Sequence, residues 1–145
     1  MNTKFKKMPD ELKTPKMCLK VVKKNGLALR FVPAALQTED LCLAAVKSRG
    51  HALLHVPETL KTGEMCLAAV QQNGRVLGFV PEALKTETLC LAAVRKSGGA
   101  LQYVPETMKT DYICLAAVRQ NKDALQYVPD ELKAIINEEL AGKEG

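Results

Sequence analysis

A chain of 145 residues has the length of one domain, and 47% apolar residues exclude a disordered polypeptide. The mean hydropathy is -0.08, and the longest apolar runs fall far short of the ~18 residues that a membrane span needs. Because the net charge is +5, the expected partners are acidic proteins or nucleic acids. Because no signal-peptide stretch follows the first residues, we expect a cytoplasmic protein with no membrane partner.

The cysteines reveal an internal repeat, because each lies 24 residues from the next: Cys18, Cys42, Cys66, Cys90 and Cys114. Six of the seven prolines keep the same phase. Five full units therefore occupy residues 12–131, with bounds at 12–35, 36–59, 60–83, 84–107 and 108–131. Residues 1–11 are predicted to form an N-terminal half-repeat cap, and residues 132–145 a C-terminal capping helix.

The third residue of each unit is a threonine whose hydroxyl suits the N-cap of a first helix. In the first unit, Pro15 suits the first turn of that helix. The expected end of this helix is a left-handed glycine, with Lys122 as the exception: Gly26, Gly50, Gly74 and Gly98. A shorter second helix follows, and Val-Pro then forces an extended kink before one last turn. Two short helices cannot bury their apolar faces alone. The sequence thus predicts an all-α, curved α-solenoid of five 24-residue two-helix repeats, with partial capping repeats at both ends.

The segments Leu84–Val94 and Ala100–Glu106 show the repeated motif most clearly. On this motif the chain resembles a tandem helical repeat family, domain of unknown function 4116, over roughly residues 8–133. The resemblance implies a helical interaction scaffold without catalytic residues. Members of that family occur in multidomain proteins of intracellular bacteria, protists and large viruses, often beside effector-like domains. It therefore also implies a viral or translocated bacterial factor that acts in a host cytoplasm.

The cysteines and histidines are weak candidates for a metal site. Equivalent cysteines of stacked units lie about 10 Å apart, beyond the ~7 Å Cα limit of a disulfide, so buried free thiols are expected. His51 and His55 are four residues apart on the second helix, which would place both on one face, but no third ligand is evident. We predict no metal and no cofactor.

His55 also occupies a slot that holds an aromatic residue in the other units: Phe31, Phe79, Tyr103 and Tyr127. This aromatic slot is either a ladder in the core or a row of contact anchors, and the core is favoured.

Most charges form pairs three residues apart, which predicts a solvated and locally compensated surface: Asp10–Lys13, Glu58–Lys61, Glu82–Lys85, Glu106–Lys109 and Asp130–Lys133. The remaining charge is graded along the chain. Residues 1–30 hold nine basic against two acidic residues, a balance of +7, and residues 123–145 hold six acidic against two basic, a balance of -4.

The candidate binding residues form one basic ridge along the first helices of the units: Lys16, Lys20, Lys23, Lys47, Arg95 and Arg119. Beside the ridge run Ala44, Ala68, Ala92 and Ala116. No phosphate loop, catalytic triad or inward carboxylate pair is present, so no enzymatic activity is expected. The predicted function is protein–protein interaction, as scaffold or inhibitor, with a partner that carries an acidic patch. The alternatives are a nucleic-acid-binding solenoid and a structural spacer, and the chain is expected as a monomer or in head-to-tail self-association.

Overall fold

The computed structural model describes residues 2–144, so Met1 and Gly145, at the outer ends of the two predicted caps, lie outside the described residues. Within this range the chain forms helices and turns without a strand, which confirms the all-α prediction. The α-helices are α1 Asn2–Lys7, α2 Pro15–Lys24, α3 Glu39–Ser48, α4 Gly63–Gln72, α5 Glu87–Lys96, α6 Asp111–Gln120 and α7 Asp130–Glu144.

The first helix of every unit begins at its predicted cap. The Thr14 hydroxyl accepts a hydrogen bond from the backbone N–H of Met17 at 3.2 Å, and Pro15 occupies the first helical position of α2. The same bond recurs at the start of the next four helices, at Thr38, Thr62, Thr86 and Thr110. Each cap satisfies one backbone N–H that a helix start leaves without an intrahelical partner, so the threonines fix the register of all five units.

The second helix of every unit is a 3-10 helix of six residues: Gly26–Phe31, Gly50–His55, Gly74–Phe79, Gly98–Tyr103 and Lys122–Tyr127. The valine that follows is extended, with ψ of 128° at Val32, because the next residue is proline. A further 3-10 turn of three residues precedes each of α2 to α6, at Asp10–Leu12, Ala34–Leu36, Glu58–Leu60, Glu82–Leu84 and Glu106–Met108. The predicted kink and final turn are confirmed.

Consecutive units pack against each other along the whole chain. Each of α2 to α6 contacts the α-helix that follows it, and each six-residue 3-10 helix contacts the next one. One leucine of each of the first four of these 3-10 helices is wholly buried: Leu29, Leu53, Leu77 and Leu101. This one-directional stacking buries one continuous core and confirms the solenoid.

The glycines at the helix ends have a different role from the predicted one. The described residues contain no positive φ, so the prediction of left-handed glycines is wrong. A Cβ at Gly26 or Gly74 would instead collide with the carbonyl oxygen of Ala45 or Ala93, in the α-helix of the next unit. The backbones approach this closely because the 3-10 helix begins directly on the neighbouring helix. Lys122 is tolerated because its side chain is exposed and α7 does not repeat the packing of α2 to α6.

The charge pairs are also less solvated than the sequence predicts. The carboxylate of Glu82 is exposed, but the Lys85 side chain is only 7% exposed and its Nζ donates to the carbonyl of Tyr103 at 2.9 Å. Lys13, Lys61 and Lys109 make the same bond to the residue 18 positions later, namely Phe31, Phe79 and Tyr127. Each lysine therefore joins the start of one unit to the end of the same unit's 3-10 helix, and the prediction of a wholly solvated ladder is wrong.

The two ends differ from the middle. Helix α1 packs on the 3-10 helix Gly26–Phe31, and Phe5 is buried 24 residues before the equivalent Leu29. At the other end, α7 begins at Asp130, two residues before the predicted capping segment, and Ile136 is wholly buried. The half-repeat thus places Phe5, and the amphipathic helix places Ile136, against the ends of the core, and Leu132 and Leu140 of α7 pack against the core as well.

Candidate interaction surface

The basic ridge lies on the solvent side of the α-helices, and all six of its residues are exposed. Four of them occupy the last turn of successive α-helices, with α4 interrupting the row: Lys23, Lys47, Arg95 and Arg119. The carboxyl end of a helix carries partial negative charge, which favours cations there. Lys16 and Lys20 extend the ridge along α2 alone, so its positive charge is densest on the first unit.

An acidic row runs parallel to the ridge at the amino-terminal ends of α3 to α6. It consists of first-turn residues, all exposed: Glu39, Asp40, Glu64, Glu87 and Asp111. Between the two rows, half-buried side chains form the floor: Leu43, Leu67, Leu91 and Leu115, with Ala44, Ala68, Ala92 and Ala116 beside them. The face therefore has one basic edge, one acidic edge and an apolar floor.

Arg95 links the two edges. Its Nη2 donates a hydrogen bond to the Tyr112 hydroxyl at 2.8 Å, and its guanidinium carbon lies 5.9 Å from the centre of that ring. Tyr112 is 55% exposed, at the start of the following helix α6. A contact of this kind holds an arginine and a tyrosine in one orientation at the surface, and both residue types are frequent anchors in protein interfaces.

Lys20 lies at the rim of a cleft that sequence analysis did not identify. The cleft has a volume of about 370 Å³ and a floor formed by Phe5, Met8, Met17 and Val21. The available signal was the pair Lys20–Val21, which replaces the Ala-Ala of every later unit. Val21 is larger than the alanine it replaces and remains half-buried, because the preceding unit is only the short helix α1.

The aromatic slot combines the two roles considered for it, a ladder in the core and a row of surface anchors. Phe31, Tyr103 and Tyr127 are half-buried and pack against the core, whereas Phe79 is 36% exposed. The slot therefore contributes both to the core and to the exposed surface.

The two histidines do not share a face. They lie at the start and end of a 3-10 helix, in which four residues differ by about a third of a turn, so the prediction of a common face is wrong. His51 is exposed and His55 half-buried. Burial, with a smaller contribution from the charge of Arg30, lowers the pKa of His55. Among residues 2–144 no group of three His, Cys, Asp or Glu is placed to hold a metal ion.

The five cysteines are buried free thiols, as the repeat predicts. Burial raises the pKa of Cys42 and Cys114 to about 11 and raises the pKa of the other three as well. Thiolate, the reactive form, is therefore scarce in the folded protein.

We expect the thiols of the folded protein to react with dithionitrobenzoate at pH 8 at least about 100-fold more slowly than those of the denatured chain. The reason is twofold, since the reagent cannot reach the sulfur and the raised pKa keeps it protonated. Stopped-flow absorbance with and without guanidinium measures both rates. If one thiol of the native protein reacted as fast as the thiols of the denatured chain, its repeat unit would have to expose the sulfur to the reagent.

None of the helices between residues 2 and 144 combines the length and the apolar character needed to cross a bilayer. A family model described as a domain of unknown function (DUF4116) matches residues 14–61, 38–85 and 86–133. Each match spans two 24-residue units, which confirms the resemblance seen in the sequence. Searches of curated proteins and of solved structures found no match.

Proposed function

We propose that this chain, which belongs to the DUF4116 family, is a non-enzymatic scaffold that binds a protein partner. The observation that supports this function best is the exposure of all six residues of the basic ridge on successive helices of a stacked array. A surface repeated in this way offers an extended contact rather than one enclosed pocket, as is typical of solenoids.

The partner has an acidic patch that faces the basic ridge. Positive charge on one edge steers an acidic protein during approach, and the apolar floor supplies contact area once the two surfaces meet. The chain acts stoichiometrically on this partner. It either covers the partner's own binding surface or serves as a scaffold for it. We assign the protein to the cytoplasm, which for a viral or translocated bacterial factor is the cytoplasm of the host cell. This assignment rests on the family resemblance alone.

Nucleic acid is the second candidate partner, because the same ridge can contact phosphates. The acidic row argues against it, because Glu39, Asp40 and Glu87 lie on helices that carry the ridge and Glu64 lies on α4 between them. A uniformly negative backbone would be repelled by this row, whereas a protein surface of mixed charge can complement both edges.

The test is a selection of random peptides of about 16 residues, displayed on phage, against the wild-type chain. Counter-selection uses a ridge variant, Lys23→Glu with Lys47→Glu and Arg119→Glu. We expect acidic peptides that bind the wild type at least about tenfold more tightly than the ridge variant, with an affinity that falls as salt is raised.

The matched control changes the same number of charges away from the ridge, with Arg49→Glu, Lys96→Glu and Lys122→Glu, all exposed. It should bind the selected peptides like the wild type. An equal loss in the control would show that only net charge matters and would contradict a ridge site. Tighter binding of a single strand of about 20 nucleotides than of any peptide would favour the nucleic-acid function. If neither ligand binds, the spacer alternative stands.

A further inference from the structure

In the first unit, several apolar side chains are more exposed than their equivalents in the later units. Met17 and Val21 are half-buried, whereas the equivalent Met65 and Ala69 are 0% exposed. Leu12 is 63% exposed, although its equivalents in later units are half-buried. In the later units these positions are covered by the preceding unit, so the described part of α1 covers this end only in part.

The open end is a cleft with a basic rim, which we call the head cleft. Its floor consists of the four apolar residues Phe5, Met8, Met17 and Val21, and its rim of Lys4, Lys20 and Lys24. The volume of about 370 Å³ exceeds that of one large aliphatic side chain several-fold. A ligand for the head cleft needs an apolar side chain flanked by negative charges.

The opposite end presents such a group on α7, beside the groove that α7 forms with α6, where Ile135 and Glu139 border Tyr112 and Leu115. Ile135 is 44% exposed, while the adjacent Ile136 is turned into the core. Glu131, Glu138 and Glu139 lie four residues before, three after and four after Ile135, so all three flank it on the helix surface, and all are exposed. We call this group the tail face.

We propose that the head cleft of one chain binds the tail face of a second copy. Ile135 enters the apolar floor, and the three glutamates meet the basic rim, chiefly Lys4 and Lys20, in agreement with the overall balance of +7 at one end and -4 at the other. Because the two contacting surfaces are different, the contact is not a two-fold symmetric one; it leaves a free head and a free tail, to which further copies add. The head cleft shares only Lys20 with the basic ridge, and Lys23, Lys47 and Arg119 take no part in the contact, so the peptide selection and the association experiment test the two proposals separately.

The test is sedimentation of the 145-residue chain from about 10 to 500 µM at low salt. A head variant carries Lys4→Glu with Lys20→Glu, and a tail variant carries Ile135→Lys with Glu138→Lys. All four side chains are exposed, and circular dichroism verifies that both variants fold. We expect the average mass of the wild type to rise with concentration past twice the 15.8 kDa of one chain, and to fall back toward it at about 500 mM salt.

The decisive measurement is the mixture of the two variants. Each alone should remain a monomer, because each lacks one of the two surfaces. Together they should form a dimer of one head variant and one tail variant and nothing larger, since only one intact head and one intact tail can meet.

Three results would overturn the proposal. A wild-type chain that stays monomeric over the whole range shows that the surfaces do not bind each other. A mass that levels off at a dimer shows a closed, symmetric contact, and association of either variant alone places the contact elsewhere. The proposed function fails separately, through the peptide selection.

Discussion

Replacing Gly74 by alanine should lower the free energy of unfolding by about 3 kcal/mol. The added Cβ would collide with the carbonyl oxygen of Ala93, in the next unit's α5, and would lie 3.0 Å from the Cβ of Ser97, the C-cap residue of that helix. Backbone atoms cannot rotate away, so α5 must shift relative to the 3-10 helix Gly74–Phe79. Urea denaturation followed by circular dichroism at 222 nm measures the change.

Gly63→Ala is the matched control, because it makes the same substitution earlier in the same unit, 60–83. No atom lies within 4 Å of a Cβ at Gly63, which is the first residue of α4. Neither glycine has a positive φ, so alanine is allowed at both backbones and only the neighbouring atoms differ. We expect the control to be neutral or to stabilise the protein by up to about 1 kcal/mol. Equal effects of the two substitutions would show that conformational freedom, not close packing, explains the glycines.

Much of this architecture was predictable because it depends on local chemistry repeated five times. A threonine can cap a helix wherever one begins, and Val-Pro forces an extended residue in any context. The burial of Cys66 follows from its position on the apolar side of a helix flanked by two units. Such features need only the sequence of one unit and the fact that units stack.

The features that sequence analysis missed depend on which atoms of one unit meet those of the next. Gly74 looks the same in sequence whether it ends a helix in a left-handed turn or admits a neighbouring carbonyl. Lys85, three residues after Glu82, resembles any surface ion pair until the fold brings the Tyr103 carbonyl to it. The head cleft lies where the short helix α1 packs on the first unit in place of a full repeat, and a repeat pattern describes only the contacts between full repeats.

Lys85→Met should lower the free energy of unfolding by about 2 kcal/mol. The lysine Nζ donates to the Tyr103 carbonyl at 2.9 Å and to the Glu82 carboxylate at 2.5 Å, with its side chain 7% exposed. Methionine keeps the apolar stem but leaves the carbonyl without this donor in a part-buried site, and that loss is the main cost. The ion pair itself contributes little, because the Glu82 carboxylate is 73% exposed. Urea denaturation again measures the change.

Lys133→Met separates these two contributions. Lys133 has the same position in the repeat and pairs with Asp130 at 3.0 Å, the same three-residue spacing, but its side chain is 38% exposed and it lies in α7, beyond the last 3-10 helix. Since the described structure pairs this ammonium group with the Asp130 carboxylate and with no backbone carbonyl, its replacement should cost less than about 0.5 kcal/mol. A loss at Lys133 as large as that at Lys85 would assign the energy to the ion pairs. A negligible loss at both would mean that the lysines are buried without stabilising the units. The expected difference between the two variants instead makes the bond from lysine to the carbonyl 18 residues later the contact that closes the four units that have such a lysine, with the carboxylate only orienting the ammonium group.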